Sequence, residues 1–105
     1  EVIVQKQLDA YNNRDIDGFM ATYSEDIKLF SYPNKLNSEG KTPMRKSYDG
    51  YFKNTPDLHC EIKERIVIGN KVIDLEYITS NGGNFSAIAV YEVENGLISK
   101  VTFIQ

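Results

Sequence analysis

The sequence predicts an α+β fold in which helices pack on one face of a curved antiparallel sheet. Three observations predict it. Apolar residues recur at helical spacing in the first half of the chain, and the second half switches to a period of two. The breaks between the alternating segments, "GN", "SNGGN" and "ENG", are strong turn sequences. Helices first and an antiparallel meander last define the class.

The elements follow in order. Val4, Leu8 and Tyr11 fall at i, i+4 and i+7, which lays one apolar stripe along a first helix. "NNRD" breaks it, and Asp15 suits the N-cap of a second helix carrying Ile16, Phe19, Met20 and Tyr23. "SED" leads into a short strand over 27–32, and "PNKLNSEGK" reads as a polar loop. Thr42-Pro43 starts a third helix, cap followed by a proline in the first turn, with Met44, Tyr48, Tyr51 and Phe52 as its apolar face. "NTPD" ends it. Four strands then run over 58–68, 72–79, 85–93 and 97–104. No internal repeat, low-complexity tract or linker interrupts residues 1–105, which read as one domain.

Composition narrows the partners. With 41% hydrophobic and 26% charged residues the chain lies in the ordinary globular range, so disorder is not indicated. A net charge of −3, with no Lys/Arg cluster, offers nothing to a phosphate backbone, so no nucleic-acid partner is expected. Cys60 is alone and can form neither an internal disulfide nor a thiolate zinc cluster, which suits a reducing compartment. No apolar run approaches the roughly 18 residues of a membrane helix. A soluble cytoplasmic protein without cofactor or metal is the expectation, and the start at Glu1 leaves a trimmed leader open.

Specific segments resemble a known superfamily. "VQKQLDAYNNRDIDGFMATYSEDIKLF", with its N-x-x-D-x-D-G from Asn12 to Gly18, is similar to the opening of nuclear-transport-factor-2-like proteins. These include ketosteroid isomerases and SnoaL-like cyclases. "YEVENGLISKVTFI" resembles their closing hairpin, and the likeness spans essentially the whole chain. It implies a cystatin-like, cone-shaped curved sheet with the three helices on its concave face, a small apolar or amphipathic ligand, and a homodimer through the sheet. The motifs specify the fold well and the activity poorly. The isomerase pattern implies a tyrosine on the first helix, a base aspartate after the first strand and a protonated aspartate on a late strand. Those positions fall on Gln7, near Ser31 or Tyr32, and near Ala89, so that chemistry does not transfer.

The resemblance also implies that the positions of Asp74 and Glu76 point into the cone. If Gly69-Asn70 is a two-residue turn, Arg65 opposes Asp74 and Lys63 opposes Glu76, which is favourable across strands. A turn that included Lys71 would instead set Glu64 against Glu76. His59, Glu61, Lys63, Arg65, Asp74 and Glu76 then share one face, which is either solvated or the wall of a site. In the second case Glu76 is the candidate proton-transferring base, Asp74 a fixed carboxylate, Arg65 its orienting partner and His59 a shuttle. Cations beside the carboxylates oppose a metal site. Tyr11, Phe19, Tyr48 and Phe52 are candidate ligand contacts, and Ala87 and Ala89 leave room in mid-strand. Two functions stay open: an acid–base enzyme of isomerase, cyclase or hydrolase type, and a non-catalytic binding or dimerisation module.

Overall fold

The computed structural model describes residues 1–105. Its elements run α1 (Val2–Asn12), α2 (Ile16–Met20), β1 (Tyr23–Ser31), β2 (Lys35–Glu39), α3 (Lys41–Asn54), β3 (His59–Ile68), β4 (Lys71–Ser80), β5 (Gly83–Glu94) and β6 (Leu97–Ile104). The six strands form one sheet in the order β2-β1-β6-β5-β4-β3. The predicted meander accounts for β3 to β6, and β1 joins it in parallel beside β6. All three helices lie on the same side and close the concave face.

Three residues of the N-x-x-D-x-D-G segment have a mechanical reason: Asn12, Asp15 and Gly18. Asn12 ends α1 and clamps the edge of β3: its Nδ2 donates to the Cys60 carbonyl at 3.0 Å, and its Oδ1 accepts from the Cys60 amide at 2.7 Å. The side chain thus supplies the backbone partners that an edge strand lacks. Asp15 caps α2, accepting from the Gly18 amide at 3.0 Å. A Cβ at Gly18 would press on that capping carboxylate, which explains the glycine.

In the first half α3 begins at Lys41 with Gly40 before it, so Thr42 lies within the first turn and not at the cap, and two larger expectations change. Tyr23, expected on the second helix, opens β1, because α2 stops after Met20 and the Thr22 hydroxyl bonds the Phe19 carbonyl at 2.7 Å. The stretch 35–39, expected as loop, is β2, antiparallel to β1. It is an edge strand wetted on both faces, so it carries no alternating apolar signal.

The third change matters most. The turn at Gly69-Asn70 sets Ile68 against Lys71 and Arg65 against Asp74, as expected. Register then slips between Ile62 and Glu64, so Ile62 pairs with Glu76 and Lys63 is the extra residue of a β-bulge. The expected Lys63–Glu76 pair does not form. Upstream of the bulge the faces are exchanged: Cys60 and Ile62 turn inward, while His59 and Glu61 turn outward. Lys63 instead bonds Glu61 at 2.8 Å and lies over the Tyr77 ring.

The core centres on Phe19. Its ring packs against Tyr48 at 4.8 Å, Tyr23 at 5.1 Å and Phe52 at 5.3 Å between centroids, tying α2, α3 and β1 together. Each such aromatic pair contributes about 0.5–1.5 kcal/mol beyond the area it buries. Val4, Met44, Val72, Ile98 and Val101 fill the space around it.

Candidate active site

Across β4 and β5 the inner face alternates without a register shift. On β4 it presents Val72, Asp74, Glu76 and Ile78, and on β5 Phe85, Ala87, Ala89 and Tyr91. Ala89 is level with Asp74 and Ala87 with Glu76, so each carboxylate lies beside a residue too small to crowd it. Asp74 is 1% exposed and Glu76 7%. Burying two carboxylates on one strand is costly unless each is accommodated differently, and the structure uses two solutions.

Asp74 is paired. Arg65 grips it with two parallel bonds, Nε to Oδ1 at 2.7 Å and Nη2 to Oδ2 at 2.8 Å. The guanidinium's Nη1 also donates to Oε1 of Gln5 at 2.8 Å, which ties α1 to the sheet. Glu76 has no cation. Arg65 does not bond it, because its Nε and Nη2 go to Asp74 and its Nη1 to Gln5. Instead the Tyr91 hydroxyl donates to Glu76 Oε2 at 3.2 Å, with Ala89 between them too short to block its reach.

The electrostatics follow from that difference. Burial raises the Glu76 carboxyl from its ordinary 4.5 to about 7, and the charge of Asp74 adds to the rise. The Tyr91 hydrogen bond and Arg65 oppose it. The phenols of Tyr91, Tyr23 and Tyr48 are raised by burial first and by the nearby Glu76 charge as well, so all three remain protonated donors.

Glu76 opens onto a cavity of about 190 Å³ beneath the helices. Five tyrosines line it, Tyr11, Tyr23, Tyr48, Tyr51 and Tyr91, with Gln7 of α1 beside them. The Tyr11 and Tyr51 oxygens lie 3.4 Å apart. Cys60 also lines the cavity, its thiol pushed up to about 12 by burial and the neighbouring carboxylates, and so protonated.

Of the residues expected from sequence, Glu76, Tyr11, Tyr48 and Ala87 line this cavity together. Asp74 and Arg65 stand behind Glu76. His59 does not join them: upstream of the bulge it faces outward and is exposed. Phe19 and Phe52 pack in the core behind Tyr48, because they turn to the other side of the aromatic cluster. Ala89 is buried beside Asp74 and reaches no free space. Tyr91, the direct partner of Glu76, escaped sequence reasoning, although its period-two spacing from Ala87 and Ala89 marks the same face. No three His, Cys, Asp or Glu side chains converge as metal ligands would, and no helix is long and apolar enough to cross a membrane.

A curved sheet closed by helices into a cone, with a carboxylate at the wall of an aromatic cavity, defines a pocket protein of nuclear-transport-factor-2-like type. Within that class the chain belongs to the SnoaL-like domain family, whose model matches residues 4–101. It is similar to an uncharacterised cystatin-fold protein from Novosphingobium aromaticivorans, at 28% identity over 99% of this chain and 96% of that one, with a TM-score of 0.90. It shares its fold with an LEH-like epoxide hydrolase from M. tuberculosis, at 18% identity over 98% and 79% of the two chains and a TM-score of 0.84. The same holds for a protein of unknown function from Cytophaga hutchinsonii, at 18% identity over 96% and 84% and a TM-score of 0.80. Among curated proteins none matches the chain.

The two carboxylates should respond to mutation in opposite ways. Arg65→Ala strands Asp74 in an apolar wall and should cost about 3–5 kcal/mol in denaturant unfolding at pH 7. A loss under about 1 kcal/mol would show the fork to be solvated. Glu76 has a folded-state pKa above its unfolded value, so the native state binds more protons between pH 4.5 and about 7. Its carboxylate therefore destabilises the fold increasingly through that window, fully so above it and not at all below it. Glu76→Gln should unfold later than the parent at pH 8, by up to about 3 kcal/mol. The gap should close by pH 4.5. Equal stability of the two proteins at both pH values would refute the raised pKa.

Proposed function

We propose that the protein is an acid–base enzyme acting on a small, largely apolar substrate, with Glu76 as the group that takes and returns a proton. One observation carries this reading. Glu76 is a buried carboxyl raised to about 7, facing a cavity and held by a single phenol rather than by a cation. A structural carboxylate would be expected to have the arrangement of its neighbour Asp74, paired and closed off. A group poised near neutral pH transfers protons in both directions with little waste of driving force.

The step is simple to state. The ionised Glu76 carboxylate removes a proton from an acidic C–H or from a water, and becomes a carboxylic acid. The electron pair left on the substrate collects on an oxygen that a tyrosine hydroxyl of the wall can bond. Glu76 then returns the proton to a second carbon, which is isomerisation; to the oxygen of a carbonyl whose carbon the carbanion has attacked, which is cyclisation; or, where the deprotonated water has bonded to a carbon, to the oxygen whose bond to that carbon breaks, which is hydrolysis. Arg65 and Asp74 act through Glu76: as a fork-bonded pair they place nearly balanced charge behind it. His59, on the outer face, takes no part. A binding module of the same fold would need no such poised carboxyl.

Exchange of the α-protons of 2-cyclohexenone in D₂O, followed by NMR, tests the chemistry. Exchange should accelerate with the enzyme and climb to a plateau above about pH 7, where Glu76 is ionised. Glu76→Gln should remove about 10²–10⁴-fold of it. Exchange unaffected by Glu76→Gln would sink the assignment.

The outer face supports a homodimer. The register turns Ile66, Ile68, Ile73, Leu75, Ile88 and Val90 to that side, and Ile66 and Ile68 are 59% and 65% exposed. The helices occupy the opposite face, so only a second copy of this surface would cover the patch with matching shape. Sedimentation at micromolar concentration should show twice the 12.0 kDa chain mass, and Ile66→Glu should leave a folded monomer. A parent that remains monomeric at high concentration would refute the dimer.

A further inference from the structure

A second space adjoins the Glu76 cavity. It lies between β1, β2 and α3, measures about 320 Å³, and is lined by Leu29, Asn37, Ser38, Met44 and Ser47. Tyr48, Tyr51 and Phe103 line both spaces, so these three rings form the sill between them. The inner cavity of about 190 Å³ is smaller than the roughly 300–1,000 Å³ of ordinary ligand pockets. The two spaces joined fall within that range.

We propose that the site takes an elongated substrate, an apolar ring seated against Glu76 and joined across the sill to a neutral, hydroxylated tail in the outer space. This rests on the acid–base reading for the ring end and adds the class of molecule attached to it. The chemistry of the outer lining decides the tail. Its polar groups are two serine hydroxyls and the Asn37 amide, whose Nδ2 donates to the Ser31 hydroxyl at 2.7 Å and leaves its carbonyl oxygen free. These groups both donate and accept, which suits alcohols. No Lys, Arg or His lines either space, so a carboxylate or phosphate tail finds no counter-charge, and Glu76 repels one when ionised. Leu29 and Met44 at the floor fit the carbon skeleton of such a tail.

The arrangement also gives β2 a purpose. Asn37 and Ser38 are brought to α3 only because 35–39 pairs as a strand with β1. A free loop would not hold them opposite Ser47.

Binding of three probes to the full chain, followed by amide chemical shifts, tests this. Anisole supplies the ring alone, 3-phenoxypropane-1,2-diol adds a neutral hydroxylated tail, and phenoxyacetate adds a charged one. The diol should bind about tenfold more tightly than anisole, equivalent to about 1.4 kcal/mol. It alone should shift the amides of Ser38 and Ser47, and phenoxyacetate should gain nothing. Ser47→Phe fills the outer space from an exposed helix position and should return the diol to the affinity of anisole while anisole binds as before. The Glu76→Gln protein, which needs no turnover, should show the same ranking, so loss of the proton chemistry and loss of the tail site are separate results. A diol that binds no better than anisole, a gain that survives Ser47→Phe, or binding of none of the probes overturns the proposal.

Discussion

The inserted residue at Lys63 decides what the interior of the cone is made of. Without the bulge, a strand in register with Asp74 at Arg65 would continue inward with Lys63, Glu61 and His59, and the cavity wall would be charged along its length. With it, Cys60 lines the cavity, Ile62 packs against the core and the polar residues go to water. The bulge also bends and twists β3 locally, at the strand whose edge Asn12 holds to α1. The apolar cavity, the isolation of Glu76 within it and the exposed position of His59 all trace to that one extra residue.

Isolation is what distinguishes the two carboxylates. They stand two residues apart on one strand, point the same way and are both buried, yet only one has a cation. Asp74 holds Arg65's Nε and Nη2, and Arg65's third nitrogen bonds Gln5. Glu76 is left with a phenol, a weaker partner that can bond either protonation state of the carboxyl. Unequal partners rather than unequal burial set them apart, which is the usual way neighbouring acids acquire different tasks.

Much of this was legible in the sequence. Helical and strand periodicity located every element but β2, and the glycine at position 69, with φ of +57°, marks the turn that sets Arg65 against Asp74. The inward direction of Asp74 and Glu76 came from the family resemblance, since alternation alone fits either face. The bulge did leave a trace: Lys63, Glu64 and Arg65 are three charged residues in a row, which no strictly alternating strand needs. Other features left none. A wet edge strand such as β2 has no apolar phase to detect. Tyr48, Tyr51 and Phe52 share one helical stripe, and which of those rings borders empty space depends on packing against Phe19 and Tyr11.

The clamp at the start of β3 bears on how copies of this chain can meet. One edge is β3, where Asn12 occupies the backbone of Cys60 and Arg14 bonds the Leu58 carbonyl just before the strand. The other edge is β2, only five residues long. The clamped start of β3 and the short β2 are both poor templates for adding strands. The helices cover one broad face and leave the apolar outer face open. Contact through one such surface is self-limiting: once two copies have met there, neither has anything left to offer a third. Association through that face would thereby be steered toward closed pairs and away from open-ended stacking.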